Sequence, residues 1–342
     1  MPFGPVQAAL GSKVPAPPGG AALPAVADRD ESGGDSSGEV DEMTGQVRPE
    51  AIVGVDGSPQ SMRAVDLAAD EAANRAVPLR IVHGYVWPLF YAPVFGAPFP
   101  VNGTDPTDED RRIAEDAATR ARDRHPTLTV STKLIAGSPA GALVAESAGA
   151  TVTVVGRRGR GGFAELVAGS VSTQLATHGH GPVIVVPADA APALDAAVVV
   201  GVDGRQPAAR AIEFAFDEAA LRRVPLRAVY VWSIIDTVHN DPLNAGGYDI
   251  DNARHTAERV LAEALAGWQE KYPQVTVHRE LVHGFEPAAA LVAASAGAGL
   301  LVVGSRGRGE FRSLLLGSVG YALVHHARCP VALIHPPAGE ES

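Results

Sequence analysis

Two short segments of the chain combine glycine, serine and arginine at a spacing suited to binding an anion. The first is Gly156-x-x-Gly159, which is followed after nine residues by Gly169-Ser170. Glycine lets a ligand approach the backbone closely, and the amides of a Gly-Ser pair that opens a helix can hold a phosphate. Because nine residues separate the two groups of donors, they converge only if the segment between them loops back.

The same spacing recurs near the end of the chain, as Gly304, Gly307 and then Gly317-Ser318. Arginine suits phosphate recognition. Arginines accompany both segments: Arg157, Arg158 and Arg160 in the first, and Arg306, Arg308 and Arg312 in the second. The arginines could instead form a solvated charged loop, and the glycines could be turn residues. The repetition of the whole pattern favours two phosphate-binding sites.

An acidic residue follows the first apolar run of each half, Asp56 in one and Asp203 in the other. Its carboxylate could accept hydrogen bonds from a sugar, help to hold a metal near phosphates, or cap the next helix. The chain has no Gly-Lys-Ser/Thr and only three lysines, which excludes a P-loop. It also lacks Gly-x-Gly-x-x-Gly after the first strand, which argues against the usual dinucleotide-binding fold.

Composition narrows the class of protein. The net charge of −11 argues against a general nucleic-acid binder, which would present a basic face. A single cysteine, Cys329, excludes a disulfide framework and a multi-cysteine metal site. The apolar stretches are only as long as strands, so no membrane-spanning helix is predicted, and a cytoplasmic location is expected.

An internal duplication organises the chain. Ile52 to Gly57 (IVGVDG) recurs 147 residues later as Val199 to Gly204 (VVGVDG), and the Gly169-Ser170-Val171 triplet recurs after 148. A repeat of this length is a whole domain rather than a solenoid unit. We predict domains over 49–188 and 197–337, preceded by a disordered tail, 1–48, that is rich in Gly, Pro and acids. Whether residues 1–42 belong to the native protein stays open, because Met43 stands just before the first strand.

Strands and helices alternate in each copy, which predicts parallel sheets with helices on both faces. The fold class is therefore α/β, with two tandem doubly wound, Rossmann-like domains. In the first copy Ser58 is the predicted N-cap of a helix from Pro59 to about Ala76. The last strands, Val183–Val186 and Val331–Ile334, are edge strands that need a cover, so we expect them to pair with each other.

The repeated Gly-x-x-Gly-(nine)-Gly-Ser, the Val-Asp-Gly after strand one and the final Pro-Val strand resemble the universal stress protein family, in its tandem-domain, ATP-binding form. The resemblance covers about residues 50–336. It implies a five-stranded parallel sheet of order 3-2-1-4-5 in each domain. In that order strands one and four are neighbours whose connections leave to opposite faces, and ligands bind at such a switch point.

The resemblance also implies the residues that contact the nucleotide. In the first copy these are Gly54, Val55, Asp56 and Gly84 for adenine and ribose, and Gly156, Gly159, Gly169, Ser170 and Val171 for the phosphates. In the second copy they are Gly201, Val202, Asp203, Val231, Gly304, Gly307, Gly317, Ser318 and Val319. Gly84 stands where the family usually has the Val that Val231 keeps, so the adenine pocket of the first copy is expected to be looser.

The expected function is a stress-response regulator that binds ATP with Mg²⁺ and acts through nucleotide-dependent conformation or partner binding. The expected partners are a nucleotide and an unknown regulatory protein. We also expect the two domains to form an intramolecular pseudo-dimer, and a homodimer is possible. No catalytic residue and no protein-held metal are predicted, so the chain is expected not to be an enzyme. A slow ATPase or nucleotidyl-transfer enzyme, and a scaffold without ligand, remain the alternatives.

Overall fold

Ten strands and nine helices lie in the part of the chain that the computed structural model describes, which is residues 49–85, 105–160, 168–188, 195–204, 208–233, 250–305 and 316–336. The predicted disordered tail lies outside these residues. The first half contains β1 Glu50–Val55, α1 Pro59–Arg75, β2 Leu79–Tyr85, α2 Asp108–Arg124, β3 Val130–Ala136, α3 Pro139–Ser147, β4 Ala150–Gly156, α4 Ser170–His178 and β5 Pro182–Val186.

The second half repeats this alternation of strands and helices. It contains β6 Val198–Val202, α5 Ala208–Arg222, β7 Leu226–Trp232, α6 Ile250–Ala264, α7 Trp268–Lys271, β8 Val277–His283, α8 Pro287–Ala294, β9 Leu300–Gly304, α9 Ser318–His326 and β10 Val331–Ile334. Both halves belong to one compact unit, Val47–Ser342.

All ten strands form one sheet, in the order β3-β2-β1-β4-β5-β10-β9-β6-β7-β8. Every neighbouring pair is parallel except β5 and β10, which run antiparallel with Val331 opposite Val185 and Ile334 opposite Pro182. The predicted α/β class with two doubly wound halves is confirmed, and so is the pairing of the two last strands. Because β5 and β10 pair with each other, neither half leaves the edge of its last strand exposed.

Helices cover the sheet on both faces. Side chains of α1, α2, α5 and α6 form one apolar layer, and side chains of α3, α4, α8 and α9 form the other. Strand residues are buried on both sides, since Ile52 belongs to the second layer and its neighbour Val53 to the first. This two-sided burial explains why the strands read as continuous apolar runs. Among the described residues no helix is long and apolar enough to cross a membrane.

Helix α1 begins as the sequence predicts. The Ser58 hydroxyl accepts a hydrogen bond from the Ser61 amide at 3.1 Å, and Pro59 occupies the first helical position. The helix ends at Arg75, one residue earlier than predicted, because Ala76 adopts the left-handed conformation (φ 53°). The position of the helix start matters, since it fixes the turn between β1 and α1.

Four charged side chains meet where α1 and α5 adjoin, and we call them the boundary cluster: Glu71, Arg75, Glu218 and Arg222. Each arginine pairs with both glutamates, once on its own helix and once on the helix of the other half. Both glutamate side chains are 1% exposed. The cluster carries two charges of each sign, so its burial leaves no charge without an opposite partner.

Candidate functional site

The turn after β1 is built around the carboxylate of Asp56. Its Oδ1 accepts a hydrogen bond from the Ser58 amide at 3.0 Å, which closes the turn that leads into α1. Gly57 has a φ of 77°, a left-handed conformation that side chains adopt with strain. A Cβ at Gly57 would also lie 3.0 Å from Ile113 of α2. Both the conformation and the space therefore require glycine here.

The second oxygen of Asp56 joins this turn to the one after β4. Oδ2 accepts a hydrogen bond from the Arg160 amide at 2.6 Å. A Cβ at Gly159 would overlap that oxygen, so the contact needs glycine at this position. A second link is parallel to it, because the Arg158 amide donates to Gln60 Oε1 at 2.9 Å. The acid after strand one thus serves neither as a free ligand nor only as a cap, since it ties two turns together.

Hydrogen bonding lowers the pKa of Asp56. Burial acts in the opposite direction, but hydrogen bonds from Ser58, from the Arg160 amide and from Ser61 outweigh it. The carboxylate is therefore ionised at neutral pH.

Gly169 and Ser172 lie against Arg157 in the turn after β4, as convergence of the two groups of donors requires. The Gly169 amide donates to the Arg157 carbonyl oxygen at 2.8 Å, and the Ser172 hydroxyl donates to the same oxygen at 2.8 Å. Arg157 is in turn held to β5, because its amide donates to the Val186 carbonyl oxygen at 2.8 Å. The predicted convergence of Gly156, Gly159, Gly169 and Ser170 at the carboxyl ends of β1 and β4 is confirmed for the first half.

Helix α4 opens at this convergence. Its N-cap is Gly169, and no side chain caps the helix. By contrast, α1, α2 and α3 are capped by Ser58, Thr107 and Ser138. The first amides of a helix have no intrahelical acceptor, and together with the helix dipole they favour an anion. Ser170 and Val171 supply the first of these amides.

A cleft of about 630 Å³ opens beside the two turns. Its lining comes from the turn after β1, the start of α1, the turn after β4 and the second residue after β5: Gly57, Ser58, Pro59, Gln60, Arg63, Arg158, Gly159, Arg160 and Ala188. The volume lies within the range of small-molecule sites, which is roughly 300–1,000 Å³. Three arginines line the cleft in a chain whose net charge is −11, and one of them, Arg160, pairs with Glu109 at 2.8 Å, so the lining keeps a net positive charge.

Two of the residues assigned to adenine and ribose, Gly54 and Gly84, lie under α3. A Cβ at Gly54 would come 2.5 Å from Leu143 Cδ1, and one at Gly84 would come 2.6 Å from Pro139 Cα. Both glycines therefore let α3 pack closely on the sheet. Gly84 does not open a looser pocket in this structure, because Pro139 occupies the space that a side chain at Gly84 would take. The assignment of these residues to adenine stays a prediction.

A buried histidine adjoins the same edge. His83 Nδ1 lies 2.8 Å from the Val55 carbonyl oxygen, and Nε2 lies 3.0 Å from Asp110 Oδ1. Asp110 also belongs to the capping box of α2 with Thr107. His83 therefore ties the end of β1 to the start of α2, which is a structural role.

The second half reproduces the framework of the site. Gly204 has a φ of 76°, and its Cβ would meet Val260 of α6, as that of Gly57 would meet Ile113 of α2. The Gly317 amide donates to the Ser305 carbonyl oxygen at 3.0 Å, and no side chain caps α9. Gly304, Gly317, Ser318 and Val319 thus stand where their equivalents stand in the first half. Gly307 and the arginines Arg306, Arg308 and Arg312 lie outside the described residues.

The other residues predicted for the second half lie at or near the carboxyl ends of β6 and β7. Asp203 is half-buried at the end of β6. Val202 and Val231 are buried. A Cβ at Gly201 would lie 2.9 Å from Leu291 Cδ1, so Gly201 allows α8 to pack as Gly54 allows α3.

Sequence reasoning missed two groups of residues. One is Gln60 and Arg63, which line the cleft from the first turns of α1. The other is the boundary cluster. Its glutamates and arginines recur at one offset of 147 residues. A charged pair repeated on two otherwise apolar helix faces could have indicated that the two helices meet there.

Comparisons with known proteins identify the family. The model of the universal stress protein family (Usp) matches residues 50–187 and again 196–335. Universal stress protein Rv2005c of Mycobacterium tuberculosis is 40% identical over 294 residues, which are 82% of this chain and 95% of that protein. Universal stress protein Rv1996 of the same species is 35% identical over 306 residues, 84% of this chain and 95% of its own.

Solved structures agree on the fold. The crystal structure of a universal stress protein from Archaeoglobus fulgidus superposes with a TM-score of 0.58 at 18% identity, over 84% of this chain and 98% of that chain. At this identity the likeness establishes the fold alone. The duplicated family model and the close relatives lead to one conclusion: this chain belongs to the universal stress protein family and carries two of its domains in tandem.

Proposed function

We propose that this protein binds ATP, with Mg²⁺ on the phosphates, at the carboxyl edge of the sheet. The observation that carries the proposal is the joining of two glycine-rich turns by Asp56, beside a basic cleft of about 630 Å³. The turn at Gly156 and Gly159 and the first amides of α4, at Ser170 and Val171, converge there with arginine side chains. Such donors match the charge of a polyphosphate, because bidentate arginine and helix-start amides are its usual partners.

The second half is proposed to bind a nucleotide in the same manner through Gly304, Gly317 and Ser318. We further propose that the bound nucleotide acts by changing conformation or partner binding, without turnover. A ligand that binds only the folded chain stabilises it by linkage, so occupancy itself can change the stability of the surface that a partner meets.

A charge substitution at the start of α4 tests the site without removing a core contact. Ser170→Asp places a carboxylate where the phosphate is proposed to bind, and an acid at a helix start favours the helix itself. We expect this variant to fold normally and to lose most of the ATP-dependent rise in melting temperature at the first site. Gln174→Glu adds the same charge on the exposed face of α4 and should leave the rise intact.

The measurement is thermal shift and calorimetric titration with ATP and Mg²⁺ for wild type, Ser170→Asp, Ser318→Asp and the double variant. Equal ATP responses in wild type and double variant would contradict the assigned sites. Mass spectrometry of small molecules released by denaturation identifies the native nucleotide. Release of ADP or AMP at rates on the order of 1 s⁻¹ would favour the enzyme alternative instead.

A further inference from the structure

Helix α4 begins at the first proposed phosphate site, and helix α9 begins at the second. Each helix ends in contact with a side chain from the other half of the chain. Each has nine residues, a length of about 13 Å at 1.5 Å per residue. The start of α4 belongs to the first site, through Gly169 and Ser170. The start of α9 belongs to the second site, through Gly317 and Ser318.

Arg157 of the first half holds the end of α9. Its NH1 donates to the carbonyl oxygens of His325 and Ala327, both at 3.2 Å. These are among the last carbonyls of a helix, which lack intrahelical donors, and a guanidinium there also favours the helix dipole. Arg157 is at the same time part of the glycine-rich turn of the first site, where its carbonyl oxygen receives the Gly169 amide.

His335 of the second half holds the end of α4. Its Nε2 lies 2.9 Å from the Ala176 carbonyl oxygen, and its Nδ1 lies 3.2 Å from the Gly181 carbonyl oxygen. His335 is buried, with 5% of the residue exposed. His335 directly follows Ile334, whose carbonyl oxygen receives the amide of Ser305 in the second glycine-rich turn at 3.1 Å.

These contacts make a closed circuit between the two sites. The turn of the first site reaches the end of α9 through Arg157, and α9 leads to the second site. The turn of the second site is bonded to Ile334, and the adjacent His335 reaches the end of α4, which leads back to the first site. The two connections use different residues, since Ser305 takes the place of Arg157 in the second half and Pro187 that of His335 in the first.

We propose that the two nucleotide sites are positively coupled through this reciprocal bracing, with Arg157 and His335 as the coupling residues. The inference rests on the proposed function and adds a regulatory property to it. Occupancy of one site orders its turn, and the ordered turn fixes the end of the helix whose start forms the other site. The second nucleotide then meets a helix that is already held in place, so its binding costs less ordering.

Calorimetric titration of the full chain with ATP and Mg²⁺ tests the coupling. Ser318→Asp and Ser170→Asp give the affinity of each site with the other blocked. The coupling ratio is the affinity for the second ATP in wild type divided by the affinity expected from the single-site variants if the sites were independent. We expect a ratio of about five or more, and fivefold is the lower end of typical coupling. Two variants should each reduce this ratio towards one. They are Arg157→Ser, which introduces the residue found at the equivalent position, Ser305, and His335→Ala.

Further variants separate coupling from damage to the sites. Single-site affinities are measured in each background, so a loss of intrinsic binding is distinguished from a loss of coupling. Arg157→Lys keeps a cationic side chain that can donate a hydrogen bond to the end of α9, so it should retain part of the coupling. Arg120→Ser removes an arginine that forms an ion pair with Asp66 on α1, and this variant should retain the full coupling ratio.

Each outcome decides between the two proposals. Two sites whose affinities are independent in wild type would overturn the coupling and leave the proposed function standing. Uptake of a single ATP would also overturn the coupling. No uptake of ATP would overturn both, whereas a ratio that survives Arg157→Ser and His335→Ala together would refute the assigned route.

Discussion

Gly84 in the first half lies under the start of α3, whereas the equivalent residue of the second half is Val231. Sheet register establishes the equivalence, since Gly84 is opposite Ile135 and Val231 is opposite Val282. In the first half Pro139 fills the space above the glycine. In the second half Phe285 adds one residue between the strand and the helix that begins at Pro287. We infer that this extra residue gives the helix room to lie above a valine.

At the boundary between the halves, by contrast, the two copies carry the same residues. Each glutamate and arginine of the boundary cluster has its counterpart at the same position of the other copy, and each pairs with both opposite charges. An interface that relates a surface to its own copy must keep both versions complementary. The duplicated domains therefore kept their boundary alike, and they diverged at the edge where a ligand is proposed to bind.

The largest expected effect concerns the boundary. Glu71→Gln and Glu218→Gln each leave buried arginines short of a counter-charge, which costs about 3–5 kcal/mol. Because the cluster is nearly symmetric, we expect the two variants to lose similar stability in urea unfolding. Glu115→Gln, which breaks an exposed pair with Arg122, should cost less than about 1 kcal/mol. Clearly unequal losses at Glu71 and Glu218 would show that the halves differ here too.

A swap at the divergent edge is expected to have the next largest effect. Gly84→Val introduces a side chain against the backbone of Pro139, and overpacking of this kind costs about 1–3 kcal/mol. Adding a phenylalanine after Gly137, which imitates Phe285, should recover part of the lost free energy of unfolding. A Gly84→Val chain as stable as wild type, or one that the insertion destabilises further, would contradict the packing explanation.

Loss of the carboxylate that joins the turns is expected to cost somewhat less. Asp56→Asn replaces charge-assisted bonds from the Ser58 and Arg160 amides, worth about 1.5–3 kcal/mol, by neutral bonds worth about 0.5–1.5 kcal/mol, so we expect a loss of about 1–2 kcal/mol. Hydrogen bonding lowers the pKa of Asp56 below 3.8 despite burial. The stabilisation is therefore present above about pH 4 and is lost as the pH falls through the folded pKa. Unfolding at a series of pH values should show wild type and variant converging in acid; a constant difference would exclude this cause.

The smallest expected effect is the pH response of His335. Burial lowers its pKa from 6.5, although bonds to the Ala176 and Gly181 carbonyls act in the opposite direction. A histidine that is neutral in the folded state stabilises above its ordinary pKa, and this stability declines as the pH falls below it. Melting temperatures between pH 7.5 and 5.5 should thus fall less in His335→Ala than in wild type. His278→Ala removes an exposed imidazole as control, and an equal change of slope there would refute the role of His335.

Most of the fold could be predicted because its features are local or repeated. The apolar runs Val183–Val186 and Val331–Ile334 predict the last strands to within one residue, and Ser58 and Pro59 predict the start of α1. The repeated spacing of Gly156, Gly159 and Gly169 favoured a common site, but their convergence required the chain between them to loop back, which spacing alone does not establish. The partner of Gly84 could not be predicted, because Pro139 reaches it only through the packing of a helix on the sheet.

The sequence by itself determined the two-domain α/β architecture and the positions of the glycine-rich turns, because periodicity and duplication are written in residue order. Only the tertiary structure decided what those turns contact. Asp56 meets the Arg160 amide across 104 residues, and Arg157 meets the end of α9 across about 170. Such contacts depend on which strands become neighbours and on how two halves meet. Residue types restrict these choices, but only the packed sheet and helices fix them.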